Sequence, residues 1–423
     1  MRSKLMRGLA LAGSIALTMG LAACGSDDDN NAGQQVSITA EAEVFTWWAE
    51  GSEKAGLDAL VSVMRAQNPT IMFVNAAVSG GAGSNAKDVL ADRLAAYNPP
   101  DSFQAHAGLE LTDYITNGQV RDISFLYDEF GLRDALPQDL LDLLTVNGKI
   151  YSIPVNVHRA NMLWANPTVL KDAGLDPKAT YKNITEWIKA LEKVKAAGKI
   201  PLSVGENWTQ VQLFESVLLS DLGAEAYVGL WDGSTAWTSA AVTDSLENFE
   251  KIMSLTNDDR DEMSWPAALK LVQDGKAAFN LMGDWAAGEL EDSLGSEILA
   301  YPVPGSDGVF NFLADSFTLP VGAPNAEGSR AWLEAAASLE GQVAFNRAKG
   351  SIPARTDADP AEFSEYQQSA IADFASDTIV PSLAHGAAAS PTQLAKIASA
   401  VEDFTTGATT IQQFQTALAA SGS

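Results

Sequence analysis

From Ala42 onward, apolar and polar positions alternate in a way that reads as successive strands and helices. "AEVFTWW" predicts a strand, and Leu57, Leu60, Val61 and Met64 then recur at helical spacing until Asn68 and Pro69 stop them. "IMFVNAAV", from Ile71 to Val78, reads as a second strand. "SGGAGSNAKDVLADRLAAY" gives a glycine loop, an N-cap at Ser84 or Asn85, and an amphipathic helix carried by Val89, Leu90 and Leu94. "NPP" closes that helix, and "SFQAH" is a third strand. This β-α-β-α-β order predicts a parallel, doubly wound sheet covered by helices, whose ligands bind beyond the carboxyl ends of the strands. Farther on, Asn147-Gly148 predicts a hairpin turn and Pro154 a crossing into a second α/β lobe. The stretch 181–198 predicts a helix that ends in glycine.

Unusual chemistry sits at the strand ends. Trp47 and Trp48 follow the first, Ser79, Gly80 and Gly81 the second, and Gln104 and His106 close the third. Successive strand side chains leave on opposite faces, so Trp47 and Trp48 cannot both belong to one core face. Aromatic plates, open backbone amides, an amide side chain and an imidazole around one crevice suit a neutral polar ligand. Trp47, Trp48, Trp265 and Trp285 all lie beside polar residues at element ends, whereas Trp187 and Trp332 fall within helical patterns and read as core. Indole stacks on the C–H face of a sugar ring, whose hydroxyls need donors and acceptors around the rim.

A chain of 423 residues exceeds what one hydrophobic core usually supports, which fits two lobes. Its formal charge of -27 excludes nucleic acid as a partner. Arg2, Lys4 and Arg7 precede an uncharged, mostly apolar run, so residues 1–23 read as a secretory signal. That run ends in "LAAC", which resembles the bacterial lipobox. Cys24, the only cysteine, is therefore expected to carry lipid and to begin the mature chain, with 24–37 as a flexible tether. The expected location is the outer face of the bacterial cytoplasmic membrane, reached through the anchor alone. In such a host the sequons at Asn183 and Asn207 read as chance.

No phosphate-loop, zinc-protease or nucleophile-elbow motif is present. The glycine-rich "GGAGSN" fits equally a close backbone approach to a ligand or a tight turn. His106, His158 and His385 lie far apart without ligand spacing, so neither a metal nor a cofactor is expected. Glu53, Asp284 and Asp315 would make a glycosidase only if two of them faced each other.

Seven blocks in order, "WWAEGSEKAGLDAL", "GGAGSNAKDVLADRL", "PPDSFQAHAG", "NGKIYSIPVNVHRANMLWAN", "AAFNLMGDWA", "NRAKGSIPAR" and "PSLAHGAA", resemble the extracellular solute-binding proteins of bacterial ABC sugar importers, glucose/mannose-binding type. The resemblance runs from about Val44 to about Ala388. It implies a monomer with the two-lobed periplasmic-binding-protein fold, each lobe a doubly wound sheet with helices on both faces. Residues 38–154 with 315–350 would form one lobe and 155–314 with 351–423 the other. A monosaccharide, glucose first and mannose or galactose next, would bind in the cleft, close the lobes and pass to the membrane permease. By motif, Trp47 and Trp48 would stack on the sugar, Glu53 would accept from a hydroxyl, and Gln104 and His106 would bond the rim. Asp284 would accept from two neighbouring hydroxyls beside Trp285, Lys349 and His385 would donate, and Trp265 would be a second plate. Gly80, Gly81 and Asp315 complete the expected ligand set, while His158 and Arg159 of "NVHR" read as structural residues near the hinge. Departures at His106 and Leu313 leave the exact sugar open. A binding protein for a disaccharide or another sugar, and more distantly an anchored glycosidase, are the alternatives.

Overall fold

The computed structural model describes residues 37–78, 83–290 and 297–422. The signal, Cys24, the tether and the expected ligand glycines Gly80 and Gly81 lie outside the described residues.

The first three strands form where the pattern places them, at Ala40–Phe45, Ile71–Asn75 and Ser102–His106, and they pair in parallel. The intervening helix Gly51–Gln67 turns Leu57, Leu60, Val61 and Met64 inward and ends at Asn68, where the following proline disfavours helical backbone. The second helix, Ser84–Ala95, is not capped by Ser84 or Asn85: its N-cap is Gly83, at φ 89°, which gives no side-chain bond. Trp47 explains the glycine, because a Cβ at Gly83 would lie 2.7 Å from Trp47 Cδ2.

The sheet is mixed rather than purely parallel. Its order is Ile71–Asn75, Ala40–Phe45, Ser102–His106, Asp315–Thr318, Ser152–Pro154, with Asp315–Thr318 antiparallel to both neighbours. A strand that returns from the far lobe enters against the direction of the others. The hairpin before it turns on Asn147 and Gly148, at φ 53° and 75°, the left-handed pair a two-residue hairpin requires. Beneath the sheet pack Trp48, Phe103, Phe317, Trp332 and Phe345.

The second lobe is built on two further mixed sheets. One orders Leu299–Pro302, Met162–Ala165, Ala277–Leu281 and Ile200–Ser203; the other orders Thr378–Pro381, Val309–Leu313 and His158–Arg159. The helices Ile184–Ala196, Ala240–Met253 and Pro391–Thr405 bury Trp187, Phe249 and Phe404 in a separate core. The chain changes sheets between Pro154 and His158 and again between Leu313 and Asp315. A third change follows Lys349, where Ile352 bridges to Val157 on the way to Thr378–Pro381. Polar residues near these changes sit at the mouth between the lobes.

The helix Ala326–Ala337 lies directly on the first strand, since a Cβ at Gly328 would fall 1.8 Å from the Glu41 carbonyl oxygen. Gly328→Ala should therefore lower the stability seen in urea unfolding by about 1–3 kcal/mol, the usual range for overpacking. An unchanged midpoint would mean that this helix can shift off the strand freely.

Candidate functional site

A cavity of about 470 Å³ opens between the lobes. First-lobe elements supply Trp47, Glu53, His106, Asp315 and Lys349; second-lobe elements supply His158, Trp208, Trp265, Trp285 and His385. Asp315 anchors the floor. Its Oδ1 accepts from Gln104 Nε2 at 2.9 Å, and its Oδ2 accepts from Asn156 Nδ2 and from Lys349 Nζ, each at 2.7 Å. Burial pushes the carboxyl up, but Lys349 and then the imidazoles of His106 and His158 outweigh that and hold it below the usual carboxylate range.

All three histidines of the chain reach this cavity. His106 Nε2 lies 3.7 Å from Asp315 Oδ1 and His158 Nε2 lies 3.8 Å from Asp315 Oδ2. His385 sits with its ring centroid 5.8 Å from that of His106 and 5.0 Å from that of Trp285. Each ring is fixed from behind. His106 Nδ1 pairs with Glu110 at 2.7 Å, His158 Nδ1 with Asp284, and His385 Nδ1 with Ser382 at 2.9 Å. Burial, with Lys349 next for His158 and His106 next for His385, depresses both imidazoles, so they are neutral at pH 7. Burial also raises the Glu53 carboxyl to about 7, with Lys349 opposing and Asp315 and Glu289 adding. Glu215 secures the turn that carries His385: it accepts from Ser382 Oγ at 2.8 Å and from the backbone N–H of Ala384 at 3.2 Å. Its carboxyl too is raised by burial to about 7.

The cavity is concave and lined by aromatic and polar side chains of both lobes, and the chain that builds it has known relatives. Residues 40–343 match the family model described as bacterial extracellular solute-binding protein. The chain belongs to that family. A relative from Pyrococcus horikoshii, an uncharacterized ABC transporter extracellular-binding protein, is 32% identical over 415 residues, covering 96% of this chain and 93% of its own length. A xylose/arabinose-binding protein from Haloferax volcanii is 30% identical, with 87% of this chain and 81% of the relative covered. Among solved structures, a chitin oligosaccharide binding protein superposes with a TM-score of 0.78 at 21% identity, over 91% of this chain and 99% of that one, and shows the same two-lobed fold.

Within this solute-binding protein the expected site residues divide. Trp47, Glu53, His106, Trp265, Trp285, Asp315, Lys349 and His385 line the cavity. Trp48 does not: it is fully buried, with Phe317 and Phe345 around it and Lys349 Nζ 4.6 Å above its ring. Both tryptophans follow the end of the strand at Phe45 and both are buried, but Trp47 borders the cavity and Trp48 does not. Gln104 lies one layer down, where it accepts from the Trp47 backbone N–H at 3.2 Å and holds Asp315. Asp284 is also behind the wall, fully buried against His158. The residue in front of it is His158, expected to be structural, which lines the cavity. His385 and Lys349 also have partners within the wall: Lys349 donates to Asp315, and Nδ1 of His385 faces Ser382. Trp208 was missed entirely. It lines the cleft 6.3 Å from Trp285, its Nε1 donating to Glu206 at 3.0 Å, and its only sequence signal was an aromatic beside a helix start inside the dismissed sequon.

Trp48→Ala should cost about 3–5 kcal/mol of stability in urea unfolding, as large aromatic deletions in cores do, and Trp47→Ala less. Equal losses for the two would contradict the division between core and cleft. Glu53 and Glu215 generate a second expectation. Between about pH 4.5 and 7 the folded chain keeps protons on these carboxyls that the unfolded chain has released. Their contribution is complete below about pH 4.5 and fades as pH rises to 7, so stability falls across that window. Glu53→Gln and Glu215→Gln should each flatten that decline in unfolding midpoints measured across it. An unaltered slope in both variants would show that neither group holds its proton.

Proposed function

We propose that this solute-binding protein takes a monosaccharide, glucose first with mannose or galactose next, by closing its lobes, and delivers it to the membrane permease of an ABC importer. In this reading lipid on Cys24 holds it at the outer face of the cytoplasmic membrane. The observation that carries the reading is the pairing of indoles from both lobes, Trp47 from one and Trp208, Trp265 and Trp285 from the other, with carboxylates and imidazoles in one cavity. Apolar plates for ring faces and polar atoms for hydroxyls are what a pyranose needs. The sugars named for the Haloferax relative and the solved chitin oligosaccharide binding protein agree with that chemistry. Nothing in the cavity calls for covalent chemistry. Asp315, held ionised beside Lys349, is already engaged by Gln104, Asn156 and Lys349 as a structural anchor.

A panel of sugars against the purified chain, read by thermal unfolding, tests the reading. A ligand of the folded form at a hundredfold excess over Kd adds about 2.7 kcal/mol, so glucose, mannose or galactose should raise Tm clearly. Trp47→Ala should stay folded and lose that shift. A shift with disaccharides alone would favour the broader sugar-binding alternative, release of product would favour a glycosidase, and a flat panel would refute a sugar ligand.

A further inference from the structure

The cavity wall is unbalanced in hydrogen-bond chemistry. His158 and His385 are at most 3% exposed, both line the cavity, and among the described residues the Nε2 atom of each has no hydrogen-bond partner. Their partners fix the tautomers. The His158 Nδ1 faces the Asp284 carboxylate, which only accepts, so Nδ1 carries the proton. Above about pH 7, where Glu215 is ionised, Ser382 gives its hydroxyl proton to Glu215, so its oxygen accepts from Nδ1–H of His385. Both neutral rings therefore present a bare Nε2 lone pair. His158 Nε2 also faces Asp315 Oδ2 across 3.8 Å, two acceptors with no donor between them. Glu50, Glu53, Glu206 and Glu289 line the same cavity and add acceptors. Of the donors, one Lys349 N–H goes to Asp315 and Trp208 Nε1 goes to Glu206, while the indoles of Trp47, Trp265 and Trp285 and the Ser264 hydroxyl also border the cavity.

We infer that this cavity reads its ligand through the hydrogens the ligand donates, with Nε2 of His158 and Nε2 of His385 as two of the readers. The inference rests on the sugar-binding reading and narrows it. The ligand class is a neutral or aminated sugar, whose hydroxyl or ammonium protons meet those atoms and the surrounding carboxylates. Sugars that carry a carboxylate or phosphate bring acceptors and negative charge to a wall that has both, and are excluded. A buried acceptor left without its donor is penalised heavily, so the selectivity is steep.

Deoxyfluoro sugars separate donating from accepting, because fluorine replaces a hydroxyl at similar size and has no proton to give. The purified full chain is titrated at about pH 8, above the values near 7 of Glu53 and Glu215, with the best neutral sugar of the panel, its single deoxyfluoro analogues, its 2-amino analogue and its uronic acid. Expected are losses of roughly tenfold or more for fluorine at two or more ring positions, retained binding of the amino sugar, and a loss of at least roughly a hundredfold for the uronic acid. His385→Phe and His158→Phe should each weaken the parent sugar and erase the fluorine penalty at one position, a pairing that a merely structural role for the ring would not produce. Fluoro analogues that all bind within twofold of the parent, or a uronic acid that binds as well as it, overturn the inference while leaving the sugar-binding reading intact. If the parent sugar itself gives a flat titration, that reading has failed and the inference fails with it.

Discussion

A carboxylate buried where two lobes meet has to be both neutralised and saturated with hydrogen bonds, and Asp315 meets those demands with residues from three other segments. Gln104 comes from a strand end, Asn156 from the first crossing and Lys349 from the last turn of a helix. Asn156 also accepts from the Asp315 backbone N–H at 2.8 Å, so the two crossing segments are tied by main chain and side chain together. Removing one partner from such a cluster leaves a buried charge uncompensated, which typically costs about 3–5 kcal/mol. The rest of the site inherits this constraint. Lys349 is held over Trp48, Gln104 sets the backbone of Trp47, and His106 and His158 approach Asp315 from the two lobes.

Much of this was legible in the sequence, and what was not fails for identifiable reasons. The first three strands, their helices and the Asn147-Gly148 turn follow from local periodicity and turn chemistry, which the fold does not override. Alternation predicts that Trp47 and Trp48 part company, but the strand ends at Phe45 and both are buried; that Trp48 packs away from the cavity depends on Phe317 and Phe345, residues that only the return strand and a distant helix bring near. The mixed sheet escaped for the same reason, since Asp315–Thr318 adds to it from far along the chain. The histidines lie far apart in sequence and gather only because three separate segments converge on the cleft. Motif resemblance placed Asp284 in the ligand set and left His158 as a structural residue near the hinge, because both belong to one pair, and only geometry tells the wall residue from the one behind it.

The orienting layer gives the cleft its directional character. Glu110, Asp284 and the Ser382–Glu215 pair each stand behind one imidazole, at its Nδ1 on the side away from the cavity. An unsupported imidazole would exchange tautomers and serve as donor or acceptor as the ligand required. Three supported rings give up that tolerance, and the wall around them gains a fixed polarity to which a ligand must conform.

The lobes also meet at a contact away from the cavity floor. The helix Gly51–Gln67 receives no side-chain cap from Glu50, and its N-terminal amides carry the positive end of the helix dipole. Glu289, on the second-lobe turn after Trp285, supplies the missing acceptor by taking the Ser52 backbone N–H at 2.8 Å. Gly51, at φ 57°, makes room, because a Cβ there would fall 2.3 Å from Glu289 Oε1. A cap that belongs to the other lobe holds only while the two elements are together, so it ties the turn after the paired tryptophans to the second lobe without strengthening either lobe alone.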